Sequence, residues 1–156
     1  MTDSAPRPRR IVAAVSPGDV YYERVLTTAQ RLARDGSLTL LSIHSRPIEW
    51  VRDQLRTPES QTADARREVA RQIEADAARL GVTRVDARVP LAQRANVGDD
   101  IVEHAHELGA TLIVLGTHGR RGLDAWVVGS VAEHVVRRAG CGVYVVRNRT
   151  TPPASA

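Results

Sequence analysis

ATLIVLGTHGRRGLDAWVVGS, residues 110–130, decides how the rest of the chain is read. Its first part, ATLIVLG, is short, ends in glycine and is rich in branched apolar residues, the pattern of a strand buried on both faces. Four glycines fall between positions 116 and 130, and Ser130 opens the segment SVAE with Glu133 three positions on. That serine–glutamate spacing is the signature of a helix start closed by a capping box. Strand, glycine-rich loop and helix therefore follow one another directly. At such a junction the first backbone N–H groups of the helix and its positive dipole end converge, an arrangement that attracts an anion. Gly116 and Gly119 carry no side chain, so the backbone could approach a phosphate chain and take positive φ where needed. Ser130 could add a hydroxyl donor, and Arg120 and Arg121 could add charge. The spacing is not that of a P-loop, and no lysine completes one. A second reading stands beside this one, in which Ser130 only caps and the glycines only turn the chain.

Working outward, RRIVAAVS (9–16) reads as a buried strand, and beyond the breaker SPGD the residues Val25, Ala29, Leu32 and Ala33 line one face of a helix ending before Gly36. SLTLLSIHS (37–45) is a second strand, and RPIEWVRDQLRTPES (46–60) is a polar connection with two prolines. Val69, Ile73, Ala77 and Leu80 form the inner stripe of a second helix stopped by Gly81. VTRVDARVPL (82–91) alternates more than the other strands, which places it toward an edge. Val97, Ile101, Ala105 and Leu108 mark a third helix ended by Gly109, and ATLIVLG, the most apolar strand, is the expected centre of the sheet. A helix to about Ala139 and the strand GVYVVR (142–147) complete the pattern. Five strands alternating with four helices give an α/β fold, a parallel sheet with helices on both faces. Residues 1–8 read as a flexible arm, 9–148 as a single domain and 149–156 as a disordered tail. In such a sheet ligands bind at the carboxyl ends of strands where the strand order reverses, and the glycine loop leaves one of those ends.

Composition narrows the chemistry. At 156 residues with 42% hydrophobic and 26% charged residues, the chain is one globular domain's worth. All 22 basic residues are arginines. A lysine Schiff base, a Walker lysine and a lysine general base are thereby excluded. The net charge of +4 is spread among 18 acids, and aromatics are only 3%, so no stacking platform for single-stranded nucleic acid is visible. No apolar run approaches the roughly 20 residues that span a bilayer, and the first apolar segment is too short for a signal peptide, so a cytoplasmic location is expected. The single cysteine, Cys141, excludes internal disulfides and reads as an inert buried thiol in an apolar strand.

Other candidate residues carry less. His104 and His106 stand about 200° apart around a helix axis and do not share a face, so no metal pair and no metal site is expected there. His118 could touch a phosphate or act as an acid or base, or simply face solvent. Asp124 and Asp19 could hold magnesium beside phosphates. Trp50 and Trp126 read as packing anchors, and no serine or cysteine nucleophile has a visible base partner.

The pattern Gly116-Thr117-His118-Gly119, nine residues, then Gly129-Ser130 resembles the ATP-binding G-2x-G-9x-G-(S/T) signature of the universal stress protein family. The likeness extends to IVAAVS, to His44 after the second strand, to VGDDIVEHAHELGATLIVLG and to AGCGVYVVR, where the family usually has CPVLVV. The resemblance implies a Rossmann-like five-stranded sheet of order 3-2-1-4-5, with a crevice between the first and fourth strands flanked by the loops SPGD and GTHGRRG. It implies that Gly116, Thr117, Gly119, Gly129, Ser130 and Val131 lie around the phosphates and ribose of ATP, where His118 and Arg120 stand as further candidates from the loop's own chemistry, and that Ala14, Ile43 and Leu115 lie near the nucleoside. It also implies a homodimer paired through the last strand, with Val143, Val145 and Arg147 at the contact. One position departs from the pattern. Nucleotide-binding members usually carry an aspartate where this chain has Ser16, a shorter neutral group, and Asp19 could either replace it or cap the first helix. The expected role is regulatory binding of ATP, with or without Mg2+, rather than catalysis. The alternatives are a slow nucleotide hydrolase or transferase using the same cradle, and a dimeric scaffold without nucleotide.

Overall fold

The structure is a computed structural model that describes residues 9–34, 36–44, 58–117 and 129–147. Its elements alternate as the sequence pattern requires: β1 (Arg10–Ala14), α1 (Tyr22–Ala33), β2 (Ser37–Leu41), α2 (Pro58–Arg79), β3 (Val85–Arg88), α3 (Val97–Glu107), β4 (Leu112–Gly116), α4 (Ser130–Arg138) and β5 (Gly142–Val146). The five strands form one sheet of order β3-β2-β1-β4-β5, parallel throughout. Ala14 stands opposite Leu41 on one side and Leu115 on the other, so the carboxyl ends of β1, β2 and β4 finish level with one another. The order steps outward in one direction from β1 to β3 and in the other from β4 to β5. Its reversal opens a crevice between β1 and β4, the position where such sheets take ligands.

Each face of the sheet has its own helices. Ile11, Ala13, Leu38, Leu40 and Val114 join Val25, Leu26 and Ala29 of α1 and Ile73 and Ala77 of α2 in one apolar cluster. On the other face Val12, Leu41, Ile113 and Leu115 join Ile101 and Ala105 of α3 and Ala132 and Val135 of α4. The alternation along each strand thus feeds two cores, and each large side chain so buried contributes about 1.5–3 kcal/mol.

Several local expectations need correction. β4 is an interior strand but not the centre, which is β1; both are covered on two faces, so apolarity alone does not rank them. The polar connection after β2 is shorter than its composition suggests, because Pro58 opens α2. Proline suits a first helical position, where its missing N–H would find no partner anyway. Cys141 precedes β5 rather than lying within it and is only half-buried, although burial still pushes its thiol above the ordinary value. β3 is an edge strand with alternating burial, as its pattern indicated. The expected arm 1–8 and tail 149–156 lie outside the described residues. Among those residues, no helix is long and apolar enough to cross a membrane.

Candidate functional site

Two turns build the crevice. The first leaves β1 through Ser16-Pro17-Gly18-Asp19, where the Ser16 carbonyl accepts from Asp19 N–H at 3.0 Å and Gly18 takes φ +87°. Proline second and a positive-φ glycine third are what a type II turn demands. Asp19 Oδ1 then accepts from Tyr21 N–H at 2.8 Å, one residue before α1 begins. Its carboxylate therefore serves the helix entry, the second of the two roles the sequence allowed. Ser16 is half-buried at the end of the strand.

The second turn closes the glycine loop. Thr117, only 3% exposed, donates its N–H to Val146 at 3.1 Å and accepts at its carbonyl from Gly129 N–H at 2.6 Å. The loop therefore leaves and re-enters at one point, which sets the start of α4 beside the carboxyl end of β4. Gly116 is glycine for a packing reason that the sequence did not show. A Cβ there would lie 2.9 Å from Tyr21 Cβ and 3.2 Å from its Cγ, so the tyrosine occupies the space a side chain would need.

Ser130 does not cap α4. The helix begins at Ser130 itself, and Gly129 is the N-cap, with φ −59° and ψ 151° and no side-chain cap hydrogen bond among the described residues. A capping box needs the serine one position earlier relative to the helix start. Glu133, its expected partner, turns instead to Arg137 at 2.8 Å. The first intrahelical bond runs from Glu133 N–H to the Gly129 carbonyl, so the N–H groups before it have no partner within the helix. Ser130 is exposed beside them.

The apolar side of the crevice is continuous. Leu115 is buried in the α3–α4 core, and Ala14, Ile43 and Val131 pack half-buried against the same cluster. Residues spaced widely in the sequence thus meet on one face of the sheet, below the start of α4. His118, Gly119, Arg120, Arg121, Asp124, Trp126 and Trp50 lie outside the described residues. No group of three or more metal-ligating side chains occurs among the described residues. His104 Nδ1 faces Glu107 at 3.1 Å, while His106 points to solvent. His44, bridged to Leu91 at the end of β2, has its pKa lowered by burial and by the charge of Arg66.

One cluster escaped the sequence reading. Asn96 caps α3, its Oδ1 accepting from Gly98 N–H at 2.8 Å. Its Nδ2 therefore donates to His134 Nδ1 at 3.2 Å, and His134 Nε2 donates to Asp99 Oδ1 at 2.7 Å. That hydrogen bond holds the Asp99 carboxyl below its ordinary value. Both ring nitrogens are committed, so the histidine clamps α3 to α4 and has no lone pair left for a substrate proton. Asparagine before a helix whose first turn holds Asp99 and Asp100 is a legible capping signal; its link to His134 is not, because the two lie on separate elements.

The chain belongs to the universal stress protein family, whose sequence pattern matches residues 8–147. A relative in Staphylococcus haemolyticus, named in the same family, is 40% identical over 77 residues, covering 49% of this chain and 45% of that one. The chain thus matches less than half the length of such curated relatives. Among solved structures, a universal stress protein from Archaeoglobus fulgidus in complex with dAMP is 26% identical, with a TM-score of 0.61 over 89% of this chain and 98% of that one. A universal stress protein family member from Burkholderia pseudomallei is also 26% identical, with a TM-score of 0.62 over 92% of this chain and 100% of the other.

Proposed function

We propose that this chain binds an adenine nucleotide, ATP in the first instance, in the crevice at the carboxyl ends of β1 and β4, and that occupancy regulates a partner rather than driving rapid turnover. The observation that carries this reading is the start of α4, which no side chain among the described residues caps and which the Gly129–Thr117 hydrogen bond fixes beside the end of β4. Outward-pointing N–H groups and the positive helix end suit a phosphate there. The apolar edge formed by Ala14, Ile43, Leu115 and Val131 suits a nucleoside. The dAMP complex of the Archaeoglobus fulgidus protein supports the same ligand class.

In this reading Gly116, Thr117, His118, Gly119, Arg120, Gly129 and Ser130 surround the phosphates, with Ser16 facing the nucleoside. Magnesium, where bound, would be held chiefly by phosphate oxygens and water, since Asp19 already serves the entry of α1. The protein acts as a cytoplasmic homodimer, residues 9–148 being its single domain. β5 supports the dimer: it is an edge strand carrying Tyr144 at 47% exposure, and exposed apolar edges are commonly paired.

Thermal denaturation with ATP, AMP and adenosine tests the site. ATP at 100 times its dissociation constant should stabilise the parent by about 2.7 kcal/mol. ATP should bind more tightly than adenosine, and salt should weaken it. Gly129 has an ordinary backbone conformation, so Gly129→Val should fold with an unchanged circular dichroism spectrum and lose the ATP response. Adenosine binding equal to ATP, insensitive to salt and to Gly129→Val, would refute the site. Sustained phosphate release above roughly 1 s⁻¹ would instead favour an enzyme.

A further inference from the structure

A second charged cleft lies away from that crevice, and the nucleotide reading makes no use of it. On β1, β2 and β3 the residues Ile11, Leu38, Leu40, Val85 and Ala87 enter the α1–α2 core. The alternating residues Arg10, Ser37, Thr39, Asp86 and Arg88 therefore leave the sheet on its other face. Arg10 is in register with Ser37, and Thr39 with Asp86, so these side chains stand in adjoining rows. Together with Arg84 and Leu108 they line a cleft of about 350 Å³ that runs from the amino ends of β1 and β2 along β3 to its last residue, within the range of small-molecule sites.

The charge in this cleft is unbalanced. Its lining includes three arginines against one aspartate, and that aspartate, Asp86, already pairs with Arg88 at 2.7 Å. Arg10 and Arg84 have no carboxylate partner among the described residues. Two backbone features accompany their placement. Gly109, at φ +62°, leaves room for Arg10, whose Nη1 would lie 2.8 Å from a Cβ at that position. Arg84 itself sits at φ +58°, a region that glycine or asparagine occupies more readily.

We propose that the Arg10–Arg84–Arg88 cleft is a second binding site, for a small polyanion bearing phosphate or carboxylate groups. Guanidinium groups match the planar pairs of oxygens on both anions, and Ser37 and Thr39, which line the same cleft, would add hydroxyl donors. The site is separate from the nucleotide crevice at the carboxyl ends of β1 and β4, none of whose residues line this cleft.

Calorimetric titration of the full chain at low salt, with inorganic pyrophosphate and with citrate as separate probes, tests it. At least one should bind; pyrophosphate alone marks a phosphate site, citrate alone a carboxylate site. Arg84→Gly should weaken that binding about tenfold while the melting temperature holds or rises, because glycine accepts the positive φ. Arg10→Gln, which leaves that turn untouched, should weaken it similarly. The same titration in Gly129→Val should be unchanged. Absence of binding by both probes, affinities unaltered by Arg84→Gly and Arg10→Gln, or binding abolished by Gly129→Val would each overturn the proposal.

Discussion

Gly116→Ala separates two reasons for a glycine at the end of β4. If the residue is small only so that phosphate can approach, alanine leaves the empty protein as stable as the parent. The packing predicts otherwise. The new Cβ would lie 2.9 Å from Tyr21 Cβ, 3.2 Å from Cγ and 3.3 Å from Cδ2, each inside normal carbon–carbon contact of about 3.5–4.0 Å. The nearest of these atoms is attached directly to the backbone at the entry of α1, where Asp19 holds Tyr21 N–H. Rotating the ring therefore cannot relieve it, and the strand end and helix start must move apart. Such overpacking costs about 1–3 kcal/mol, or about 2–12 °C in a domain of this size, measured by urea and thermal denaturation without nucleotide. The partner variant is Tyr21→Gly, which removes all three contacting atoms at an N-cap position that tolerates glycine. In that background Gly116→Ala should cost less than about 0.5 kcal/mol, the difference being the coupling of the two sites. A Gly116→Ala protein within about 0.5 kcal/mol of the parent, or an equal penalty in the Tyr21→Gly background, would refute this account.

Ser130→Ala should leave stability within about 0.5 kcal/mol by urea denaturation, since the serine does not cap α4, yet lower ATP affinity by the loss of one hydroxyl donor. Ser16→Asp should strengthen adenine-nucleotide binding by about 1.5–3 kcal/mol in calorimetry if the strand end faces the nucleoside; unchanged affinity in a folded variant would show that this half of the site is built differently. Tyr144→Arg should shift sedimentation toward a 17.0 kDa species, and it is a cleaner probe than Val145→Arg because Val145 packs against the α3–α4 core. Asp99 is held below its ordinary pKa of 3.8 by His134. Its contribution to stability is therefore present above that value and lost as pH falls through the lower folded one, so the parent should lose melting temperature below about pH 4 more steeply than Asp99→Asn.

The sequence by itself determined the alternation of strands and helices, the edge character of β3, the junction at residues 116–130 and the family signature. These follow from periodicity, from turn residues and from a motif, all of which act within a few neighbouring positions. Even the order 3-2-1-4-5 came from resemblance, because periodicity reports which residues are buried but not which strand lies beside which. Tertiary structure alone decided that β1 rather than β4 is the centre and that Tyr21 fills the space over Gly116. It likewise decided that Gly129 rather than Ser130 is the N-cap, that Asn96, His134 and Asp99 join α3 to α4, and that Arg10, Arg84 and Arg88 line one cleft. Each of these depends on where separate elements dock. A one-residue change in a helix start or a neighbouring strand replaces the partners of every side chain at the contact, while leaving the local pattern that the sequence displays unchanged.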